Sequence, residues 1–317
     1  MVPTVSFGEL KNTFCFSIMV QFSITQQASA PGENARGAIL MALAMAGFGI
    51  NDIFVKHAAS TLDIGQTLLI RGIFATALLW FFAKVTGKMR PLRTLLQPAL
   101  FVRALGELLA TLTFLIALFN IPIANATAIL QALPLAVTLG AALFFGEKIG
   151  WQRTAAILVG FIGVLIIIRP GMEGFTLYSI AVVGAVFFCT IRDLATRFIS
   201  DDIPTLFIAL FSSALVTLSG AGLSVFEDWS HFDYAAIGWL FLASGFLILG
   251  YFCIAGSMRV GDVSVIVPFR YSILIYAIIA GIVLFDETPD LMTIIGSLII
   301  VGTGIFTVYR ERLFKGI

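Results

Sequence analysis

Residues 46–58, AGFGINDIFVKHA, close a long apolar run with an acid and a base, Asp52 and Lys56, four positions apart. Residues 186–198, VFFCTIRDLATRF, close another apolar run in the same way, with Asp193 followed four residues later by an arginine. Residues four apart lie on one face of an α-helix, so each stretch predicts a charged pair on one helix face. The fold has to explain why this arrangement occurs twice.

The composition places both stretches in a membrane protein. Of 317 residues, 59% are hydrophobic and only 12% are charged, and the mean hydropathy is +1.03. Soluble domains average about 25% charged residues, so this composition indicates an integral membrane protein. The formal net charge of +1 provides no strongly basic surface for nucleic acid.

Ten apolar runs are long enough to cross a bilayer, which takes about 20 mostly apolar residues per helix. The connections between them are short and leave no room for a soluble domain. We therefore predict an all-α integral membrane protein with ten transmembrane helices. The predicted spans are approximately residues 37–55, 63–83, 98–118, 122–145, 151–168, 175–196, 203–225, 234–256, 262–285 and 290–309.

Residues 1–36 precede the first span and allow two interpretations. The run TFCFSIMVQFSI, followed by QQASA, resembles a signal peptide that would be cleaved after Ala30. Pro31 directly after that bond is unfavourable for cleavage, and the basic residues of the loops favour an N-terminus inside. We therefore predict an N-terminal extension, with both termini cytoplasmic and the chain in the cytoplasmic (inner) membrane.

The distribution of basic residues between the loops supports that topology. With the N-terminus inside, thirteen basic residues fall in cytoplasmic segments, and only Lys56 and Arg169 fall in outer segments. This excess is the positive-inside pattern of membrane proteins. The thirteen are Lys11, Arg36, Lys84, Lys88, Arg90, Arg93, Lys148, Arg153, Arg197, Arg259, Arg310, Arg312 and Lys315.

The two halves of the chain align with each other. FFGE, ending at Glu147, falls on LFDE, ending at Glu287, and NDIFVK falls on RDLATR. Each half has five helices, an odd number, so the second half enters the membrane from the opposite side. Such inverted repeats are common in secondary transporters. We predict two inverted five-helix repeats, residues 37–170 and 171–312.

The inversion gives the repeated acids a role. It predicts Asp52 near the outer face and Asp193 near the inner face, where they would act as a gate or a proton relay at the two mouths of a pathway. The alternative is that the charged pairs only mark helix ends and reach the interface.

Other charges lie deeper in the predicted helices. Arg71 falls in helix 2, and Arg103 and Glu107 fall in helix 3. A charge at the helix centre costs at least about 2.5–3.5 kcal/mol on insertion scales, so such residues usually face a pathway. Arg103 and Glu107 can pair on one helix face, and a purely structural ion pair is the alternative reading.

Glu107 is also a candidate site for proton coupling. Desolvation favours the protonated form of a carboxyl group, whereas a nearby arginine favours the ionised form. If alternating access changes the balance, Glu107 takes up a proton in one state and releases it in the other. The alternative is a permanently ionised Glu107 that pairs with Arg103 or Arg71.

A third group lies near the predicted midplane. Arg270 and Tyr271 of helix 9 correspond through the repeat to Leu130 and Gln131 of helix 4. Transporters of this build place their substrate near the midplane, so we predict that Arg270, Tyr271 and Gln131 contact substrate. Deep basic residues outnumber deep acids, which favours a substrate with an anionic group such as a carboxylate.

Several segments resemble the drug/metabolite transporter superfamily, specifically its EamA-type ten-helix permeases. They are RGAILMALAMAGFGINDIFVK, PIANATAILQALPLAVTLGAALFFGEKIGWQRTAAILVGFIGVLIIIRPG, RDLATR, and VPFRY with the later LFDE. The resemblance covers residues 36–312. It implies alternating access around a central cavity lined by helices 1, 3, 4, 6, 8 and 9. It also implies substrates such as amino acids, S-adenosylmethionine or riboflavin, without choosing among them.

These observations predict a secondary transporter that moves a small organic metabolite across the cytoplasmic membrane. The alternatives are an intramembrane enzyme, a passive channel and a structural membrane subunit. The sequence has no HExxH, no Gly-x-Ser-x-Gly and no phosphate-binding loop ending in Lys-Ser/Thr. The expected partners are a small-molecule substrate, the lipid bilayer and coupling protons. A homodimer is left open, and no enzyme activity, cofactor, metal or nucleic acid is expected.

Overall fold

A computed structural model describes residues 31–147, 149–171, 175–200, 202–229, 233–260 and 262–315. In this part of the chain all regular structure is helical, and ten helices are long and apolar enough to cross a membrane. The predicted all-α membrane protein with ten spans is confirmed. Most of the predicted N-terminal extension lies outside the described residues.

The ten helices run in chain order with short connections. A 3-10 turn, Leu92–Leu96, precedes the third of them. The helices are α1 Pro31–Ala58, α2 Ile64–Val85, α3 Pro98–Leu118, α4 Ile123–Phe145, α5 Trp151–Ile168, α6 Leu177–Thr196, α7 Thr205–Ser224, α8 Tyr234–Val260, α9 Val267–Leu284 and α10 Leu291–Lys315.

Three helices extend three residues or more beyond the apolar runs that predicted them. The first run was predicted to span 37–55, but α1 begins at Pro31 and continues to Ala58. The eighth run was predicted to end at residue 256, but α8 ends at Val260. The tenth run was predicted to end at residue 309, but α10 ends at Lys315. Hydropathy reports only the part of a helix inside the hydrocarbon, whereas the backbone hydrogen bonds continue into the interface.

The helix contacts are organised by the repeat. α1 packs along α8, and α6, the equivalent of α1, packs along α3, the equivalent of α8. α2 packs against α7, α5 packs against α10, and α4 contacts α9. Exchanging each helix with its counterpart in the other half therefore maps every one of these contacts onto another or onto itself. The predicted pair of inverted five-helix repeats is confirmed.

Glycines permit the closest of these helix contacts. A Cβ added to Gly47 of α1 would lie 3.3 Å from the Cα of Gly250 in α8. A Cβ added to Gly296 of α10 would lie only 2.6 Å from the carbonyl oxygen of Gly163 in α5. Small residues let transmembrane backbones approach in this way, so these positions fix the spacing of α1–α8 and α5–α10.

The first turn of α2 is held by a residue from the other repeat. The Glu227 carboxylate, after α7, accepts hydrogen bonds from the backbone N–H groups of Gly65 at 2.7 Å and Gln66 at 2.8 Å. These N–H groups have no partner within the helix, and the helix dipole favours a negative charge there. Glu227 therefore ties the α2 N-terminus to the connection between α7 and α8.

Candidate functional site

The two central helices are interrupted at positions related by the repeat. α4 consists of the segments Ile123–Leu130 and Leu133–Phe145, and α9 begins with a 3-10 segment, Val267–Tyr271. Pro134 and Pro268 lie at these interruptions. Each proline removes one helix hydrogen bond, which favours a break in the helix there. Interrupted helices at the centre of inverted repeats are where transporters of this build place their binding sites.

The interruptions bring two of the predicted site residues together. The buried Gln131 side chain donates a long hydrogen bond, 3.5 Å, to the backbone carbonyl of Arg270. Tyr271 points elsewhere, because its side chain is only 5% exposed and its hydroxyl lies against Gly304 of α10. Gln131 and Arg270 therefore lie at the crossing of α4 and α9, while Tyr271 packs between α9 and α10. Substrate contact by the three residues stays a prediction.

Glu107 of α3 lies between two arginines. Its Oε2 is 3.7 Å from Arg103 on the same helix and 3.3 Å from Nη1 of Arg192 on α6. Arg103 also donates from Nη1 to the Ser212 hydroxyl of α7 at 2.6 Å. The three charged side chains are each less than one-fifth exposed. Both guanidinium groups lie beside the Glu107 carboxylate, as the fixed-pair alternative requires, and proton coupling through Glu107 stays a prediction.

The repeated acids have unequal neighbours. Asp52 accepts a hydrogen bond from the amide of Asn51 at 2.8 Å, and Asp193 accepts one from the guanidinium of Arg192 at 2.8 Å. Asn51 and Arg192 occupy equivalent positions in the two repeats. One half therefore carries a neutral donor where the other carries a cation, and that cation also reaches Glu107.

Arg71 and Arg270 complete the charges inside the bundle. Arg71 of α2 interacts electrostatically with Asp52 and Glu107, and Arg270 interacts with Asp193. Neither arginine has a carboxylate within ion-pair distance among the described residues. We call the seven residues the central charge cluster: Arg71, Arg103, Arg192, Arg270, Asp52, Glu107 and Asp193.

Tyr251 of α8 lies among these charges, and the sequence analysis missed it. Its electrostatic neighbours include Glu107 on α3, Arg192 on α6 and Arg71 on α2, yet its side chain is 38% exposed. Because this exposed side chain has charged neighbours from three other helices, we infer that it lines an internal cavity rather than the lipid. The ring is positioned by Phe48 of α1, whose ring meets it edge-on with centroids 5.5 Å apart.

The interior face of α8 shows where this cavity opens. Ser244, Tyr251 and Met258 follow one another at intervals of seven and so share one face of the helix. Ser244 is fully buried and donates to the Arg71 carbonyl at 3.0 Å, whereas Tyr251 and Met258 are each 38% exposed. From this difference in burial we infer that the cavity is closed towards the start of α8 and open towards its end. In the sequence, the seven-residue spacing between Ser244 and Tyr251 indicates that both side chains lie on the same face of α8.

α6 runs in the same direction as α8, so Arg197, directly after α6, lies at the open end. α1 runs in the opposite direction, so Lys56, near the end of α1, lies at the closed end. We call them the Arg197 end and the Lys56 end. A hydrophobic cluster drawn from six helices seals the Lys56 end. Its buried members are Val55, Ala58, Leu62, Leu68, Leu115, Leu118, Ile123, Ala236, Leu240, Ala243 and Ala277.

An ion pair crosses the repeats above this cluster. Lys56 Nζ lies 2.7 Å from Oε1 of Glu287 and donates to the Ile121 carbonyl at 2.7 Å. The second Glu287 oxygen accepts a hydrogen bond from the backbone N–H of Ile123 at 2.9 Å. The pair is mostly buried, with the side chains 11% and 21% exposed. Lys56 thus pairs with the other repeat rather than with Asp52 of its own stretch.

The equivalent pair at the Arg197 end is open to solvent. Arg197 Nη1 lies 2.5 Å from Oε1 of Glu147, and the two side chains are 48% and 49% exposed. Here too the base pairs with a glutamate at the end of a central helix, rather than with Asp193. Asp52 and Asp193 lie one helical turn further inside, as gate or relay candidates that nothing yet tests.

The described residues contain no group of three or more His, Cys, Asp or Glu side chains placed to hold a metal ion. The central charge cluster instead places four arginines among three acids, contributed by helices of both repeats.

Comparison with known proteins relates both halves to one transporter family. The profile of the EamA-like transporter family matches residues 35–169 and again residues 176–310. A solved crystal structure, 18% identical, covers 88% of this chain and 98% of its own length, with a TM-score of 0.61. At that identity the likeness concerns the fold alone.

Three curated relatives transport different compounds. The S-adenosylmethionine uptake transporter of Rickettsia conorii is 29% identical over 279 residues, 85% of this chain and 91% of its own. The riboflavin transporter of Vibrio cholerae is 28% identical over 84% of this chain and 90% of its own. The pseudopaline exporter CntI of Pseudomonas aeruginosa is 27% identical over 84% and 93%.

Proposed function

Because this chain belongs to the EamA-like transporter family and is a membrane transporter of a small organic metabolite, we propose that its substrate carries a carboxylate. The substrate binds in the cavity beside the central charge cluster, where Arg270 holds the carboxylate. This assignment extends the sequence-based prediction for Arg270 and Gln131 and omits Tyr271, which packs against α10.

The balance of charge in the cluster is the observation that carries this proposal. Four arginines face three acids, so one positive charge is left over inside the membrane. Glu107 is shared by Arg103 and Arg192, and Arg270 has no carboxylate within ion-pair distance among the described residues. An unneutralised buried charge is costly, and a carboxylate on the substrate removes that cost.

Tyr251 adds a preference for a flat ring. Its exposed face lines the cavity, and aromatic rings bind planar groups by offset stacking. S-adenosylmethionine, the compound in the name of the Rickettsia conorii relative, combines an amino-acid carboxylate with an adenine ring. It is therefore the first candidate substrate. The relatives include both uptake transporters and an exporter, so the direction of transport is not carried over from them.

We assign proton coupling to Asp52. The Glu107 carboxylate lies within ion-pair distance of two arginines, and Asp193 accepts a hydrogen bond from Arg192. Asp52 has only the neutral amide of Asn51 within hydrogen-bond distance among the described residues, with Arg71 further away. Of the three acids, Asp52 is therefore the one without a basic side chain at ion-pair distance among the described residues, and we assign the coupled proton to it for that reason.

We also propose that the protein lies in the cytoplasmic membrane with both termini in the cytoplasm, which the thirteen-to-two distribution of basic residues supports. In that orientation the cavity opens to the cytoplasm. Membership of a transporter family also supports a carrier over an intramembrane enzyme. A homodimer stays an untested prediction.

Binding to the purified protein tests the carboxylate assignment. Labelled S-adenosylmethionine should bind the wild type, and 5′-methylthioadenosine, which keeps the ring but lacks the carboxylate, should compete poorly. Arg270→Gln should weaken binding by about 2 kcal/mol, roughly 30-fold, the value of a charge-assisted hydrogen bond. Arg93→Gln, on the exposed 3-10 turn, is the matched control and should bind normally. Equal binding by Arg270→Gln would refute the role of Arg270.

A further inference from the structure

The ion pairs at the two ends are built from the same parts. At the Lys56 end, the Lys56 ammonium lies 5.5 Å from the centre of the Phe285 ring, two residues before Glu287. At the Arg197 end, the guanidinium lies 5.1 Å from the centre of the Phe145 ring, two residues before its glutamate. Each base therefore contacts a phenylalanine and a glutamate at the end of a central helix in the other repeat.

We propose that Glu287 and Glu147 are the gate residues of transport, which close the two mouths of the cavity in turn. Glu287 holds the Lys56 end shut in this structure, and Glu147 holds the Arg197 end shut in the opposite state. Neither glutamate belongs to the substrate site described above, so this inference does not depend on the identity of the substrate.

Glu287 is placed to hold three helices together. It follows α9, pairs with Lys56 of α1, and accepts a hydrogen bond from the Ile123 N–H at the first turn of α4. That N–H has no partner within its helix, and the helix dipole favours a carboxylate there. Breaking the contact frees one ammonium and one backbone N–H at once, so opening this mouth must release all three helices.

The difference in burial shows which gate is shut. Interactions between charges weaken as solvent reaches them. The Lys56–Glu287 pair is 11% and 21% exposed, whereas the Arg197–Glu147 pair is about half exposed on both sides. The two pairs have the same chemistry but unequal surroundings. The Lys56–Glu287 pair is buried above the hydrophobic cluster, whereas the Arg197–Glu147 pair is solvated beside the open cavity.

The Lys56 gate also forms the floor of an outer pocket. This pocket has a volume of about 270 Å³ and lies beyond the gate, on the side away from the cavity. Its lining residues are Lys56, His57, Ala59, Ser60, Phe119 and Phe285. A solute that enters here meets the Lys56–Phe285 contact before it can reach Asp52.

The inverted repeat specifies the opposite state. Exchanging the halves buries the Arg197–Glu147 pair and exposes the Lys56–Glu287 pair. By the same exchange Glu147 accepts a hydrogen bond from the backbone N–H of residue 263, the counterpart of Ile123. A carrier that alternates between these states forms one ion pair as it breaks the other, so the two mouths are never open at the same time.

Cysteine accessibility tests the two gates against each other. In a background without native cysteines, Ala243→Cys reports on the sealed cluster and Met258→Cys reports on the open cavity, both on α8. Glu287→Gln should speed labelling at position 243 by roughly tenfold with an impermeant reagent applied at the Lys56 end, and should slow labelling at 258 from the other side. Glu147→Gln should do the reverse, with labelling at 243 slower than in the parent.

Two comparisons decide the outcome. Lys56→Met removes the partner of Glu287 and should reproduce the Glu287→Gln pattern, which guards against a folding defect peculiar to one variant. A purely structural ion pair would loosen the protein without changing which side is open. If the Glu287 and Glu147 variants change labelling in the same direction, or leave it unchanged while both remain monodisperse, the gate assignment is overturned.

Discussion

Replacement of Asp52 by asparagine should separate substrate exchange from proton-driven accumulation. Asp52 accepts the amide hydrogen bond of Asn51 at 2.8 Å, and an asparagine at position 52 keeps the oxygen that accepts it. The substitution therefore preserves size and hydrogen bonding and removes only the group that binds a proton. Substrate exchange should continue, because Arg270 and the arginines around Glu107 are untouched.

The size of the effect follows from one carboxyl group carrying one proton. A proton moved across a gradient of one pH unit supplies about 1.4 kcal/mol, which supports about tenfold accumulation of a co-transported or counter-transported solute. In proteoliposomes with a gradient of about one pH unit, the wild type should reach this ratio. Asp52→Asn should equilibrate the substrate without concentrating it.

Two variants serve as controls for this prediction. Asp193→Asn alters the equivalent acid of the other repeat and should still accumulate substrate, because Asp193 is already bonded to Arg192. Glu107→Gln should lower exchange and accumulation together, because it leaves Arg103 and Arg192 without their shared carboxylate. Accumulation by Asp52→Asn at the wild-type ratio would refute the assignment of coupling to Asp52. Loss of accumulation with intact exchange in Glu107→Gln would transfer that role to Glu107.

Three further predictions concern stability and topology. Glu227→Gln should lower the unfolding temperature in a thermal-shift assay, because two backbone N–H groups of α2 lose a charged acceptor worth about 1 kcal/mol, and an unchanged temperature would contradict this. Gly304→Val should lower the free energy of unfolding by about 1–3 kcal/mol, because the valine side chain would overlap the Tyr271 ring. Adding Tyr271→Ala should relieve this overlap. Ser60→Cys should react with an impermeant thiol reagent applied outside intact cells and Arg90→Cys should not; the reverse pattern would invert the topology.

The sequence predicted the fold well because bilayer thickness constrains every span in the same way. Each helix needs a similar length of apolar residues, so ten runs gave ten helices, and the largest differences lie where α1, α8 and α10 continue beyond the hydrocarbon. The inverted repeat followed from the parity of five helices and the match between Glu147 and Glu287. These features depend on segment length and order, which a sequence displays directly.

The site was only partly predictable because its contacts cross between distant helices. Lys56 was expected to share a helix face with Asp52, yet its partner is Glu287, brought to it by the packing of α9 against α1. The sequence shows Arg192 where the first half has Asn51, but the reach of Arg192 to Glu107 depends on the spacing of α3 and α6. Tyr271 packs against Gly304 of α10, a direction that hydropathy does not reveal, because rotation about the helix axis is set by packing.

Counterflow in proteoliposomes tests most directly the central claim that this protein carries a carboxylate-bearing metabolite through its cavity. Vesicles are preloaded with unlabelled S-adenosylmethionine and diluted into a trace of the labelled compound. A carrier that alternates between two gates should bring labelled substrate transiently above its equilibrium level, and Arg270→Gln should abolish this overshoot while Arg93→Gln retains it. Labelled substrate that rises to equilibrium without an overshoot, or an overshoot unaffected by Arg270→Gln, would contradict the account.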